Sequence, residues 1–106
     1  MTAPRRFLPN RRPIASGTVF AGDAAFVVSA GFDPASGRVR EVFLSAEKHG
    51  SALDVFAHDA AVVISVALQC GVSAAQLAHS VARTPAGPAT PIGAALDWIE
   101  RLEERE

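Results

Sequence analysis

At 106 residues, 49% hydrophobic and 20% charged, the chain has the length and apolar content for one domain around one core. A formal charge of -1 and a sequence pI near 6.3 provide no overall field toward nucleic acid or an anionic membrane, so either contact would have to be local. Its single cysteine, Cys70, excludes an intramolecular disulfide, a CxxC redox pair and a cysteine-rich zinc site, and a reducing cytoplasm is the expected location.

Residues 1–13 contain Pro4, Pro9 and Pro13 together with Arg5, Arg6, Arg11 and Arg12. Proline at that density prevents regular helix, and the stretch is too polar to fold alone, so a flexible, solvated arm is expected. Its two arginine pairs have the look of an export signal. Gly17, Gly22 and Asp23 interrupt the apolar region such a signal needs, so none is expected. No uninterrupted apolar run reaches the roughly 18 residues that argue for a membrane span.

From residue 14 the chain reads as one domain to residue 106. β-branched and aromatic residues predict a short strand over Thr18–Phe20, a turn at Gly22-Asp23 and a longer strand over Ala25–Phe32. Asp33-Pro34 opens a second turn and Ser36-Gly37 closes it, after which Arg38–Ser45 resumes as strand. Alternation in this third strand is imperfect: Arg38, Arg40, Val42 and Leu44 share one face, with Val42 and Leu44 the candidates for the core.

Ser51 is placed to cap a long helix ending at Gly71, with Asp54 in its first turn. Leu53, Phe56, Ala60, Val63, Ala67 and Cys70 recur at spacings of three and four, and Val62, Ile64, Val66 and Leu68 make its second half apolar nearly all round. Such a helix is expected at the centre of the fold, covered by the sheet and by other helices, with Val62–Leu68 as core and Cys70 as a core thiol. Ser73 and Gln76 form a capping box opening a second helix over Ala74–Arg83. A proline-rich loop follows at 85–90. Thr90 and Pro91 then start a third helix over 91–104, with Ile92, Ala95, Leu96, Ile99 and Leu102 as its stripe.

Three strands followed by three helices predict an α+β domain: a small antiparallel meander packed on helices. A sheet of this size leaves edges and one face to cover, so a homo-oligomer is expected.

The chemistry-bearing residues concentrate in Glu47-Lys48-His49-Gly50-Ser51. Lys48 and His49 offer cationic donors, Gly50 permits close backbone approach, and Ser51 begins a helix whose first N–H groups are free, which together suit an anion. The same residues also make a plain strand-to-helix turn with a serine cap, and the full P-loop spacing is absent. The sequence is consistent with either. His49, His58, His79, Asp54, Asp59 and Cys70 show no metal-binding motif, and no G-x-S-x-G elbow marks a nucleophilic serine; no metal, cofactor or catalytic residue is expected.

The arginine-proline entry, "GFD" followed by "GRVREVFL", the "KHGS" turn and "ISVALQCGV", in this order over roughly residues 11 to 84, resemble the TSCPD domain. That domain is known chiefly as the C-terminal region of adenosylcobalamin-dependent ribonucleotide reductases. The resemblance implies a noncatalytic accessory module whose partner is a reductase catalytic chain or another enzyme of nucleotide metabolism, with Lys48, His49, Gly50, Ser51, Arg38 and Arg40 as contacts. The Thr-Ser-Cys-Pro-Asp run that names the domain is absent, and one cysteine cannot supply both the radical and the reducing pair of ribonucleotide reduction. The rival expectation is a small phosphate- or nucleotide-binding protein or enzyme built on Lys48–Ser51. Nucleic-acid contact through the arginine arm stands third.

Overall fold

A computed structural model describes residues 4–105 in the order β1 (Ile14–Ala21), β2 (Ala24–Phe32), β3 (Val39–Ala46), α1 (Ala52–Gln69), α2 (Ala74–Ser80), β4 (Arg83–Thr84), β5 (Gly87–Pro88) and α3 (Pro91–Glu104). The fold is α+β: an antiparallel meander β1-β2-β3 followed by three helices, with a separate two-stranded ribbon β4-β5.

β1 runs longer than its β-propensity indicates, beginning four residues before Thr18, because Ile14 to Ala21 pair without a break against Gly31 to Ala24. Gly17 belongs to this strand for a steric reason. A Cβ there would lie 2.9 Å from Trp98 Nε1, so the missing side chain makes room for the indole. Between β2 and β3 the register slips at Gly31/Phe32, where Phe32 pairs with Val39 and Gly31 with Glu41. This bulge explains the imperfect alternation, since Val39 joins Val42, Leu44 and Ala46 among the buried residues while Arg40 is displaced toward the helices.

The core forms on one face of the sheet, where Val19, Phe26, Val28, Ala30, Val42 and Leu44 meet Ala95, Leu96 and Ile99 of α3 and Ile64 and Leu68 of α1. The other face stays open: Ile14, Phe20, Val27 and Phe43 are all exposed on it.

Helix α1 departs from expectation. Its inward residues are Asp54, Ala57, Ala61, Ile64, Ser65, Leu68 and Gln69. The stripe Leu53, Phe56, Val63 points outward, and Val62, assigned above to the core, is exposed with them. The helix is not central; it flanks β3 as a side wall. Its orientation follows from hydrogen bonding, because β3 is an edge strand whose outward N–H and C=O groups need partners. The Ser65 hydroxyl accepts from Val42 N–H at 2.9 Å and donates to Val42 C=O at 3.1 Å. Asp54 Oδ1 accepts from Ala46 N–H at 2.9 Å, and Gln69 Nε2 donates to Arg40 C=O at 3.0 Å. Satisfying the strand therefore turns the polar side of α1 inward. By length and mean hydropathy, 1.5 over its 18 residues, α1 would suffice to cross a membrane, but these bonds tie it to the sheet as part of the domain.

α2 opens with the expected capping box, Gln76 N–H donating to Ser73 Oγ at 3.1 Å and Ser73 N–H to Gln76 Oε1 at 2.9 Å. It ends at Ser80, before the expected Arg83, because Val81 turns extended and Arg83-Thr84 pair with Gly87-Pro88. The proline-rich 85–90 segment thus contains half of a small ribbon.

Of the arm 1–13, residues 1–3 lie outside the described residues. Residues 4–13 contain neither helix nor strand, yet they run back across the domain rather than away from it. Pro13 C=O accepts from Phe32 N–H at 3.0 Å, Arg12 makes a two-toothed ion pair with Glu41 (2.7 and 3.0 Å), and Arg6 N–H donates to Gln69 C=O at 2.8 Å.

Candidate functional site

The six candidate contacts divide into two groups at opposite ends of β3, separated by a strand of 8 residues. Lys48, His49, Gly50 and Ser51 form the turn leading into α1; Arg38 and Arg40 flank the strand's start.

In the turn, Gly50 takes φ +77°, a conformation glycine adopts without a Cβ penalty, and Ser51 caps α1 by accepting from Asp54 N–H at 3.2 Å. The anion at this helix start is the protein's own. The Asp54 carboxylate is buried and accepts Gly50 N–H on Oδ2 at 2.9 Å and Ala46 N–H on Oδ1 at 2.9 Å. These bonds, that from Gly50 first and that from Ala46 second, hold its pKa below the ordinary carboxylate value. Lys48 and His49 remain exposed beside it, and the Ser51 hydroxyl is engaged with Lys48 C=O at 2.7 Å.

At the other end Arg40 Nη1 donates to Leu68 C=O at 2.8 Å, satisfying a terminal carbonyl of α1. Its Nε is buried 3.8 Å from Asp33 Oδ2, with no hydrogen-bond partner among the described residues. Asp33 is held below its ordinary pKa mainly by Ala35 N–H, 3.0 Å from Oδ1. Arg38 is exposed, its Nε 3.7 Å from Glu103 Oε2, which also accepts Val39 N–H at 3.0 Å. The structure gives both arginines neighbours that close this corner of the domain.

A third region lies apart from all six expected contacts. Between α1 and the open sheet face runs a groove of about 560 Å³, whose walls include Phe43 and Ser45 on one side and His58, Asp59 and Val62 on the other. Leu44 lies at its base. Strand alternation aims its N–H and C=O toward α1, as it does those of Val42 and Ala46, but no described side chain bonds to them. Ser45, His58 and Asp54 converge near this groove in the residue types of a hydrolytic triad, but not in its geometry. Ser45 Oγ and Asp54 Oδ1 both lie 3.4 Å from the same nitrogen, His58 Nε2, whereas a triad places serine and carboxylate on opposite ring nitrogens. Among the described residues no three His, Cys, Asp or Glu side chains converge as metal ligands.

Beyond the groove lies the outward face of α1, with Phe56 73%, Val63 68%, Val62 61%, Val55 54% and Leu53 48% exposed. Ala52, Phe56, Asp59, Val63, Val66 and Cys70 follow one another there at spacings of four and three, the seam pattern of helices that pack on a partner helix. Periodicity in the sequence had picked out part of this stripe, but as core. The distinguishing signal was Asp54, Ser65 and Gln69, which share the opposite side.

Comparison of the chain with protein-family models, with curated proteins and with solved structures finds no match.

Proposed function

We propose that the protein is a noncatalytic binding module that docks on a partner protein through the outward face of α1 and the adjoining groove. The observation supporting this reading is the exposure of Leu53, Val55, Phe56, Val62 and Val63 on one helix that is hydrogen-bonded to the sheet. A contiguous apolar face of this kind costs solubility unless something covers it. His58 and Ser45 lie along the groove as a polar rim, while Asp59 sets one carboxylate within the apolar stripe itself.

For the partner, the resemblance described above favours the catalytic chain of an adenosylcobalamin-dependent ribonucleotide reductase. In this reading the module supplies surface rather than thiols. The alternative of a phosphate or nucleotide ligand at Lys48–Ser51 is weaker, since the Gly50 and Ala46 amides are already bonded to Asp54.

Calorimetric titration of the purified reductase chain with wild type and with a Phe56→Lys/Val63→Lys double variant tests this reading. Saturable binding by wild type, weakened at least about 100-fold in the variant, is expected for two central apolar anchors. Equal affinity of the two proteins would remove the face from consideration. Binding to phospholipid vesicles, with none to the reductase, would reassign the face to a lipid surface.

A further inference from the structure

We infer that the protein forms a twofold dimer in which β1 pairs antiparallel with β1 of a second copy, joining two three-stranded sheets into one continuous sheet.

The hydrogen-bond phase of the sheet decides which backbone groups of β1 face outward. Phe32 N–H donates to Pro13 C=O at 3.0 Å, and the β1-β2 register is unbroken from Ile14↔Gly31 to Ala21↔Ala24. Alternation in an antiparallel ladder then directs the odd-numbered residues of β1 toward β2. The N–H and C=O groups of Ile14, Ser16, Thr18 and Phe20 point the other way, off the edge of the sheet, and no other described residue bonds to them.

The two edges of this sheet are treated differently. At β3, Asp54, Ser65 and Gln69 of α1 bond to the backbone of Ala46, Val42 and Arg40, and α1 covers the strand except where the groove reaches Leu44. At β1 the sequence Ile-Ala-Ser-Gly-Thr-Val-Phe-Ala contains no charge, no proline and no bulge, the features that ordinarily keep an edge from pairing. The arm does not cover it either, since residues 4–13 cross toward Glu41 and Gln69 on the far side.

A second copy suits this edge in a specific register. Centred on Gly17, antiparallel pairing sets Ile14 opposite the copy's Phe20 and Ser16 opposite its Thr18, so every outward backbone group meets an outward group of the copy. On the open face of the sheet Ile14 is 57% and Phe20 63% exposed. The register covers each with the other, an aliphatic-aromatic pair of the kind that stabilises sheets, and sets two hydroxyl residues side by side between them. Below the edge, a cleft of about 250 Å³ is lined by Thr18, Phe20 and, from α3, Asp97 and Arg101. Asp97 is already held by Arg83 of its own chain through two bonds of 3.0 Å, so the cleft contributes shape to the pairing and Arg101 a charge that stays at its rim. The interface lies across the sheet from α1, which leaves the face assigned above to the partner free in both copies.

Sedimentation equilibrium of the full chain at micromolar concentration tests the dimer, with Thr18→Pro and Phe20→Lys as separate variants. Thr18 N–H points off the edge, so proline there removes no bond to β2, and Phe20 is solvent-exposed; circular dichroism checks that both variants fold. The expected result is a wild-type mass of twice 11.1 kDa, with dimer affinity weakened at least about 10-fold in each folded β1 variant and unchanged in Phe56→Lys/Val63→Lys. A monomeric wild type would overturn the inference. So would a dimer indifferent to both β1 variants, or one dispersed by the α1 pair. If the wild type is monomeric yet takes up an extended peptide at β1, the edge belongs to a different partner.

Discussion

Asp54 illustrates how much of this protein depends on single side chains placed against expectation. Its carboxylate joins the end of β3 to the start of α1, and its folded-state pKa lies below the ordinary aspartate value because Gly50 and Ala46 N–H groups stabilise the charge. A depressed carboxyl contributes stability that is complete above the unfolded pKa and is lost as pH falls through the folded one. Wild type should therefore lose stability below about pH 4, and Asp54→Asn, although less stable at neutral pH, should show a flatter acid limb in denaturation midpoints measured against pH. Gly17 is a second such residue. Gly17→Ala would set a methyl 2.9 Å from Trp98 Nε1, and we expect a cost of roughly 1–3 kcal/mol in urea unfolding, accompanied by a change in tryptophan fluorescence. A cost much smaller than this would mean that the indole does not rest on the strand.

At the scale of elements, β3 and α1 form the unit on which the candidate site stands. Ser65→Ala leaves both the N–H and the C=O of Val42 without a partner at a buried edge, which should lower unfolding free energy by about 1–3 kcal/mol, while Ser65→Thr keeps the hydroxyl and should lose less. Equal losses in the two variants would show that packing, rather than the strand bonds, sets the position of α1. The element pattern was legible in the sequence wherever a local rule governed it: turn residues set the meander, Ser51, Ser73 and Thr90 set the helix starts, and Pro91 fixed the first turn of α3. The orientation of α1 was not. A helix with valine, alanine and leucine on every side has no unambiguous apolar face, and the usual preference for burying the larger residues fails when the neighbour is a strand edge that requires hydroxyl, amide and carboxylate partners. The same requirement hid the state of the Lys48–Ser51 turn, because the anion occupying it lies four residues farther along the helix than Gly50 and belongs to the protein itself.

At the scale of the whole molecule, two sheet edges and two uncovered faces organise the surface. One edge is covered by α1 apart from the groove at Leu44, the other is open at β1, and the exposed large apolar residues other than Phe7 of the arm lie on α1 and on the open side of the sheet. The proposed assembly uses β1 for self-pairing and α1 for the partner, which leaves the Lys48–Ser51 turn and the Arg38/Arg40 corner with architectural roles. Lys48→Ala/His49→Ala, both exposed, should then change stability by no more than about 0.5 kcal/mol and leave partner affinity unchanged in the same titration; a marked loss of affinity would restore the turn as a contact. Backbone amide shifts of isotope-labelled protein, recorded as the reductase chain is added, test the central claim most directly. The account predicts that the largest changes fall on Val55, Phe56, Asp59, Val62 and Val63; changes confined to Lys48, His49 and Gly50, or to Arg38 and Arg40, with α1 undisturbed, would contradict it.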